Sequence, residues 1–341
     1  GQAGVSELTY SGQFSTSGVA NQIDVMSPGE FVAAGGRDLG SQTDWLDSVT
    51  RQAFTQIHNV SASGGAGNST YRVSANLREA EGILENSGFD QFNARLNFNT
   101  TALNDKLKIQ LNTSFTQRDQ ENGWNESLRY ATLYNPTAPI YAVDSPYAFN
   151  GAQFGGYFET LGLFDSYNPV SIINQNINNG ERKTVNYGLN LTYEVTDNIT
   201  AYFNTAIQSN DYANRVYFRT TSLWNNNDNY GGADSPVRKG AAEIYEQNSD
   251  FQLNELYATW KKSTENMNLT VTAGYSYQKE NFNQVFFSLG DFPGDEIDYI
   301  DAIEYSQDLL NAGQVSANSD RNPDTEICLL YTSPSPRDWL Q

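Results

Sequence analysis

The chain has 341 residues, a formal net charge of -20 and a mean hydropathy of -0.58. The charge argues against nucleic-acid binding, because a protein that holds phosphates needs a basic surface. No stretch approaches the about 18 consecutive apolar residues of a membrane helix, but a β-barrel stays possible, since a membrane strand needs only about 9–11 residues and alternate ones face a polar lumen.

The first predicted element is a strand around Leu8–Phe14, and eight more segments with the same alternation of apolar and polar residues follow along the chain. A period of two is expected of a strand with one apolar face. The apolar positions are, in chain order, Leu8, Tyr10 and Phe14; Val60 and Ala62; Tyr71, Val73, Ala75 and Leu77; Phe92, Ala94, Leu96 and Phe98; Leu107, Ile109, Leu111 and Phe115; Val185, Tyr187, Leu189, Leu191 and Tyr193; Ile199, Ala201, Phe203 and Ile207; Leu256, Ala258 and Trp260; and Met267, Leu269, Val271, Ala273, Tyr275 and Tyr277. The sequence therefore predicts an all-β protein with about nine strands.

The predicted connections between these strands are alternately tight and long. The tight ones are Gly64–Asn68, Thr100–Lys106, Glu194–Asn198 and Lys261–Asn266, and the long ones lie near residues 16–56, 79–90, 116–183, 208–250 and from 279 onward. Outer-membrane barrels have short periplasmic turns and longer extracellular loops. The alternation therefore predicts a segment of an antiparallel transmembrane β-barrel with long extracellular loops.

Aromatic residues on the predicted apolar faces lie near both ends of the strands. Those near the short turns are Tyr71, Phe98, Tyr193 and Trp260, and those near the opposite ends are Phe92, Phe115, Tyr187, Tyr275 and Tyr277. Two aromatic girdles are expected of a surface that faces lipid. The alternative is that aromatic residues are simply favourable in strands.

Nine strands cannot close a barrel, because single-chain bacterial barrels have even strand numbers. An open edge in lipid leaves backbone groups unpaired at a cost of several kcal/mol each. We therefore expect further strands outside this sequence. The Arg, Lys, Asn and Gln residues on the polar faces would line a wide aqueous interior, and barrels of about 22 strands hold a plug.

Several segments resemble the SusC/RagA family of TonB-linked outer-membrane transporters. The segments are Thr43–Asp47, His58–Gly65 and Glu81–Phe89, which resemble the first barrel strands; Asn135–Pro139 and Asn168–Val170, which resemble the large third loop; and Ala273–Gln278, which resembles a later strand. The similarity covers roughly residues 1–300.

The resemblance implies that residues 1–326 are part of the 22-strand barrel of a TonB-dependent receptor in the bacterial outer membrane. Such a receptor imports glycans, oligosaccharides or peptides, is not an enzyme, and uses no cofactor. Its implied partners are a SusD-like surface lipoprotein, outer-membrane lipid, and the TonB complex acting through an N-terminal plug. No plug or signal peptide precedes the first strand in this sequence, so we expect a fragment whose residues 1–6 follow the plug.

Residues 327–341 differ in character from the rest of the chain. The run from Cys328 to Asp338 interrupts the strand pattern and contains the only cysteine, which therefore cannot form a disulfide within the chain. It is similar to translated sequencing-adapter read-through, so we predict that residues 327–341 are a non-native tail. The alternative is an ordinary loop end.

Motifs for catalysis or metal binding are weak in this sequence. His58 is the only histidine, and no nearby residues complete a catalytic or metal site, so we predict a structural or interfacial role. Residues 64–68 indicate a hairpin turn instead of a phosphate-binding loop. The acidic residues Asp291, Asp295, Glu296, Asp298 and Asp301 could offer carboxylates to calcium, but their spacing is not that of an EF-hand, and we predict a solvated loop.

The long predicted loops contain aromatic residues that we expect to be exposed. Flat rings suit stacking on sugars or contact with a partner protein, whereas the alternative is packing among the loops themselves. The candidate ligand-binding residues are Trp124, Tyr130, Tyr134, Tyr141, Tyr157 and Trp224.

Two other functions stay open at this point. The first is a different large outer-membrane barrel, such as a siderophore receptor, which would have no SusD-like partner. The second is a soluble or surface β-rich carbohydrate-binding or adhesion module, which would fold in water without detergent.

Overall fold

The computed structural model describes residues 6–141, 154–160, 166–226, 240–265, 267–295, 305–306, 315–316 and 324–333. Nine long strands dominate this part of the chain. They are β1 (Glu7–Ser17), β2 (Ala53–Ala66), β3 (Ser69–Glu81), β4 (Ser87–Ala102), β5 (Leu107–Asn122), β6 (Asn176–Thr196), β7 (Ile199–Phe218), β8 (Ala241–Thr264) and β9 (Met267–Gly290). Each alternating segment of the sequence lies within one of them, so the prediction of nine strands is confirmed.

The nine strands form one sheet in which every strand pairs antiparallel with its neighbours in sequence. This up-and-down order follows from the connections, because each hairpin places consecutive strands side by side. Within the described residues the sheet is open, since β1 pairs with β2 alone.

The register places the predicted apolar positions of neighbouring strands directly opposite one another. Val73 lies opposite Leu96 and Leu77 opposite Phe92, while Ile109 on β5 lies opposite Leu191 on β6. Residues directly opposite in a sheet share a face. We call this side of the sheet the apolar face and the other side the polar face. The face assignment made from the alternation is thus confirmed.

The predicted aromatic residues lie on the apolar face at both ends of the strands. Near the short turns, Tyr71 lies directly opposite Phe98, and Tyr193 and Trp260 are exposed. Near the other end, Phe92 contacts Phe115 at 6.3 Å between ring centroids, and Tyr187 and Tyr275 are exposed. Their placement at headgroup level in a membrane stays a prediction.

The strands extend beyond their alternating segments, and one predicted loop is consequently wrong. The expected long connection at residues 79–90 is a turn of residues 82–86, because β3 continues to Glu81 and β4 begins at Ser87. The turn is closed by the Gly82 amide, which donates to the Ser87 carbonyl at 2.8 Å, and Asn86 adopts φ 53. Polar residues on both faces here hide the alternation that marks a strand.

Two further strands, β10 (Val315–Ser316) and β11 (Asp324–Ser333), pair with the far edge of β9. The sequence did not predict either of them. The pairing of β11 continues across residue 327, where the predicted tail begins, and residues 334–341 lie outside the described part. That residues 327–341 form a non-native tail stays a prediction.

In the described parts of the long connections lie five short helices: α1 (Pro28–Ala33), α2 (Trp45–Val49), α3 (Glu126–Leu133), α4 (Pro169–Gln175) and α5 (Leu223–Asn226). Local capping defines their starts: Ser27 and Glu30 form a capping box at α1, and Asp44 caps α2. Asn168 caps α4 with Pro169 in its first turn. None of the helices in the described residues is long and apolar enough to cross a membrane.

The long connections pack against one another at one end of the sheet, and we call this packed structure the loop layer. Its main core joins α2, α3 and α4 through Trp45, Ala131 and Ile173, which are all buried. A second core contains Trp124 and Ile172 together with Phe218, which lies at the end of β7. The loop layer therefore covers the end of the sheet where the long connections lie, and the turn of residues 82–86 joins its main core through Leu84.

Candidate functional site on the polar face

Amide and hydroxyl side chains form a hydrogen-bonded ladder across the first five strands of the polar face. Asn59 donates to the Ser11 hydroxyl at 3.3 Å, and Asn76 donates to Asn59 at 2.7 Å. Asn93 donates to Asn76 at 2.9 Å, and the Thr116 hydroxyl donates to Asn93 at 2.8 Å. Each residue uses its carbonyl or hydroxyl oxygen for one neighbour, so the ladder keeps amide hydrogens and lone pairs available for a ligand's hydroxyl groups.

An arginine row lies next to this ladder, on the side of the loop layer. Its members are Arg78, Arg118 and Arg182 on β3, β5 and β6. Arg118 lies directly opposite Arg182, and Gln91 on β4 lies between Arg78 and Arg118. Arg78 and Arg182 are exposed, and Arg118 is half-buried between them.

Aromatic rings support the arginine row. The Arg118 guanidinium lies 3.7 Å from the centroid of the Phe89 ring, and the Arg78 guanidinium lies 5.0 Å from the same ring. The Arg182 guanidinium lies 5.0 Å from the centroid of the Tyr212 ring. Guanidinium groups over aromatic faces gain a cation–π attraction, which orients their planes.

A cluster of amides follows the arginine row toward the loop layer. Asn122 donates to Asn178 at 2.9 Å and to Asn214 at 3.0 Å, and Gln120 donates to Asn122 at 2.8 Å. Gly180 makes room for this cluster, since a Cβ there would lie 2.8 Å from Nε2 of Gln120. The polar face thus presents, in sequence along the strands, an amide ladder, an arginine row and an amide cluster.

The opposite side of the sheet carries acidic residues at the same level. Glu79 lies opposite Asp90, Asp90 opposite Asp119, and Asp119 opposite Glu181. Glu79, Asp119 and Glu181 adjoin members of the arginine row in sequence, and Asp90 adjoins Gln91, but all four point to the apolar face because neighbouring residues of a strand face opposite sides. The arginine row and this acidic row therefore face opposite sides of the sheet, and on the apolar face Glu181 pairs with Lys183.

The expectation that the loop aromatics are exposed is wrong for Trp124, Tyr130 and Tyr134, which are 8%, 5% and 4% exposed. Trp124 packs against Phe218 at 5.3 Å and against Trp224 at 4.9 Å between ring centroids. These rings pack within the loop layer, whose cores bury large apolar side chains away from water. Packing among the loops, the stated alternative, describes these three residues.

The remaining candidate aromatics are more accessible. Tyr141 is 53% exposed and lies 5.2 Å from Tyr157 between ring centroids, while Tyr157 and Trp224 are half-buried. A ligand-binding role for Tyr141, Tyr157 and Trp224 stays a prediction. The structure does not bring the six candidates together, since Trp124, Tyr130 and Trp224 belong to one core and Tyr134 and Tyr157 to another.

His58 and the acidic loop take structural positions. His58 lies in β2 on the apolar face, where its Nδ1 is 2.9 Å from the Tyr10 hydroxyl and its ring makes an edge contact with Phe14. Asp295 accepts hydrogen bonds from the Thr220 amide and hydroxyl at 2.8 Å and 2.6 Å. Glu296, Asp298 and Asp301 lie outside the described residues. Within the described part, no group of three or more His, Cys, Asp or Glu residues could hold a metal.

The loop layer contains a buried carboxyl group, Glu159. Burial raises the pKa of Glu159 to about 7, although hydrogen bonds from the Asn168 amide, at 3.0 Å, and from Ser171 oppose this shift. Asn168 also donates to the carbonyls of Ile140 and Phe158 at 2.8 Å and 3.0 Å. Glu159 therefore lies at the point where three segments of the loop layer are joined.

We expect the loop layer to lose stability as the pH rises. The folded chain favours the protonated Glu159, so its contribution is complete below the usual pKa of 4.5 and is lost as the pH rises through about 7. The full effect is on the order of 3 kcal/mol. Hydrogen exchange at residues 134–140 and 166–171 should be faster at alkaline than at acidic pH after correction for the intrinsic rate.

Glu159→Gln should abolish this difference in exchange between alkaline and acidic pH. Glu126→Gln, at an exposed position of α3, is the control and should retain it. An unchanged profile in Glu159→Gln would contradict the assignment.

Sequence reasoning identified arginine and asparagine on the polar faces but not the row or the ladder. The row requires the register between β5 and β6, which are separated by residues 123–175, and no local pattern fixes that register. The signal that could have indicated it is the placement of Arg78, Arg118 and Arg182 just beyond the apolar alternation of their strands.

Comparison with known proteins finds TonB-dependent receptors. The chain is 31% identical over 166 residues to the TonB-dependent receptor SusC of Bacteroides thetaiotaomicron, which covers 46% of this chain and 17% of the receptor. It is 25% identical over 312 residues to the TonB-dependent receptor P3 of Formosa agariphila, which covers 86% of this chain and 29% of the receptor. The chain thus spans less than a third of these curated relatives. No family model matches it.

Solved structures with a similar fold include the RagAB peptide importer in its closed-closed state. The TM-score is 0.65 at 15% identity, with 95% of this chain and 39% of that chain covered. A second structure of the RagAB peptide transporter gives a TM-score of 0.64 at 16% identity. The resemblance predicted from the sequence and the fold class of an antiparallel β-barrel segment are both confirmed.

Proposed function

We propose that this chain, which is similar to TonB-dependent receptors of the SusC type, is part of an outer-membrane transporter. Its apolar face contacts lipid, and its polar face lines the conduit through which a nutrient passes. The observation that carries the proposal is the continuous apolar face of the sheet, in which apolar residues of neighbouring strands lie opposite one another from β1 to β9.

Exposure of large apolar side chains supports contact with lipid. Leu256, Tyr187, Val73 and Leu77 are 59%, 53%, 46% and 43% exposed, and they lie on one face of the sheet. A soluble monomer rarely exposes a contiguous apolar surface larger than a few hundred Å². Lipid covers such a surface in a membrane barrel, and the alternate residues remain polar because they face water in the lumen.

The free edge of β1 supports the proposal that further strands complete the barrel. The residues of β1 pair with β2 on one side only. In lipid, each unpaired backbone group costs several kcal/mol, so a membrane sheet must close upon itself. The completed barrel, the plug and the TonB contact are properties that we propose for the longer protein.

The substrate and the partners belong to this proposal as well. The polar face presents amides, hydroxyls and arginines, which suit the reversible binding of a hydrophilic nutrient. We infer that the nutrient is a glycan, an oligosaccharide or a peptide. A SusD-like lipoprotein at the mouth, the TonB complex and the bacterial outer membrane complete the assembly.

Two measurements distinguish this proposal from its alternatives. Membrane assembly distinguishes it from a soluble or surface carbohydrate-binding or adhesion module, and the transported substrate distinguishes it from a siderophore receptor. We expect the complete protein, expressed in a Gram-negative host, to be recovered in the outer-membrane fraction and to migrate differently in electrophoresis before and after heating. It should take up an oligosaccharide or a peptide in an energy-dependent manner. Recovery as a folded monomer in buffer without detergent would contradict the transporter, and uptake of an iron chelate alone would favour a siderophore receptor.

A further inference from the structure

We propose that the arginine row of Arg78, Arg118 and Arg182 is an anion-binding strip that holds the carboxylate or sulfate groups of an acidic oligosaccharide in the conduit. This inference rests on the proposed transport function and specifies its substrate class. The three arginines lie on the polar face between the amide ladder and the amide cluster that adjoins the loop layer.

The arginine row is an arrangement that the fold alone does not favour. Arg118 and Arg182 lie directly opposite each other, and like charges in that position destabilise a sheet. None of the ion pairs among the described residues involves Arg78, Arg118 or Arg182. The Nε atom of Arg118 is buried without a hydrogen-bond partner in this part of the chain. An anion between the two guanidinium groups would offset their repulsion.

The aromatic support makes the row suitable for a planar, bidentate contact. Phe89 lies under the guanidinium groups of Arg78 and Arg118, and Tyr212 lies under that of Arg182. A guanidinium of fixed orientation loses less conformational freedom on binding, and its paired N–H groups match the oxygens of a carboxylate or sulfate.

The spacing of the row favours a ligand with several anionic groups. Neighbouring strands lie about 4.8 Å apart, so Arg118 and Arg182 are about one spacing apart and Arg78 and Arg118 about two. One small ion contacts a single pair of guanidinium groups, whereas a chain with charges at intervals can contact all three. The row therefore suits a polyanion that runs around the wall.

The neighbouring polar groups indicate a saccharide. The amide ladder with Asn76 and Asn93 lies on one side of the row, and the cluster with Asn122 and Asn214 lies on the other. Amide side chains donate and accept, so they match sugar hydroxyl groups, which do both. Arginines between two amide bands thus fit a chain that carries hydroxyl and anionic groups together.

The acidic residues of the apolar face give the competing explanation, in which they balance the arginines across the sheet. Asp119 and Glu181 adjoin Arg118 and Arg182 in sequence but lie on the other side of the backbone. Exposed charges about 10 Å apart are largely screened at physiological ionic strength. Balance by the acidic residues across the sheet is therefore weak. If the arginines served only to balance these charges, replacing one of them would leave the Kd of the anionic probe unchanged, and the test includes this outcome.

The test measures binding to the complete protein in detergent by calorimetry. The probes are an oligogalacturonate, which carries carboxylates, a sulfated galactan oligosaccharide, and a neutral malto-oligosaccharide of equal length. We expect one or both anionic probes to bind more tightly than the neutral one and to weaken with added NaCl. R118Q and R182Q should each raise the Kd of the anionic probe by about tenfold or more. R72Q, a matched control outside the row on the same face, should change it by less than about twofold.

The outcomes separate this inference from the transporter itself. Assembly is scored by the heat-dependent change in electrophoretic migration. An assembled protein that binds neither anionic probe, or binds all probes equally, would overturn the anion-binding strip alone, as would preferential binding of a peptide. A protein that never enters the membrane would overturn the transporter. Where R118Q does not assemble, R182Q decides: it removes one charge of the opposing pair, and an unchanged Kd for the anionic probes would overturn the strip.

Discussion

Replacing Leu96 with arginine is expected to destabilise the membrane-inserted protein by about 2–4 kcal/mol. Leu96 lies near the middle of β4 on the apolar face, opposite Val73 on β3 and Thr113 on β5. An arginine there places a guanidinium group in the hydrocarbon region, where no water or carboxylate compensates the charge. The free energy of unfolding, measured by urea titration of the protein refolded in lipid vesicles, gives the change.

A matched control is Asn112→Arg, which adds the same side chain to the polar face of β5. Asn112 is exposed, and its cross-strand neighbours Asn97 and Gly188 carry no charge, so we expect a change below about 0.5 kcal/mol. An equal loss in the two variants, or no loss in Leu96→Arg, would contradict the assignment of the faces.

Truncating Trp45 to alanine should cost about 3–5 kcal/mol within the loop layer. Trp45 is 3% exposed, makes an edge contact with Tyr134 at 4.9 Å and donates from Nε1 to the Asn135 carbonyl at 2.9 Å. The substitution removes a large buried ring and one of the two hydrogen bonds that the Asn135 carbonyl accepts, the other of which comes from the Ala138 amide at 3.1 Å. Because the loop layer is separate from the sheet's apolar face, we expect a local opening of the loops with the barrel retained.

Hydrogen exchange detects this opening most directly. Exchange at residues 39–49 and 131–138 should accelerate in Trp45→Ala, while the central residues of β4 remain protected. Leu133→Ala, at a position that is 60% exposed on α3, is the control and should leave both regions nearly unchanged. Faster exchange throughout β4 would show that the loop layer and the sheet unfold together, and it would contradict the expectation that the loops open while the barrel is retained.

The sequence alone predicts the parts of the fold that depend on local alternation. Tyr71 to Leu77 and Phe92 to Phe98 alternate over their whole length, so the period of two identifies both strands and their apolar faces. Alternation does not locate the turn between these strands. β3 continues to Glu81 and β4 begins at Ser87, and the residues next to the turn are polar on both faces. The same effect hides the full length of β8 and β9, which have 24 residues each.

The candidate site is less predictable because it depends on contacts between distant segments. Trp124 and Tyr134 occur in polar loops, where composition suggests exposure, yet each is buried in a core formed by segments far apart in the chain. Arg118 and Arg182 come together only when β5 and β6 pair across a long connection. The alternation assigns each arginine to the polar face, but it does not give the register that decides which residues of neighbouring strands lie opposite each other.

The most direct test of the account is accessibility along β4 in the complete protein reconstituted in lipid vesicles. Single cysteines at residues 92 to 98, introduced into a cysteine-free background and spin-labelled, report contact with oxygen in lipid or with a nickel complex in water. We expect positions 92, 94, 96 and 98 to be accessible to oxygen and positions 93, 95 and 97 to the nickel complex, in keeping with the apolar and polar faces. Access of the nickel complex to every position would contradict a lipid-facing sheet, and with it the transporter.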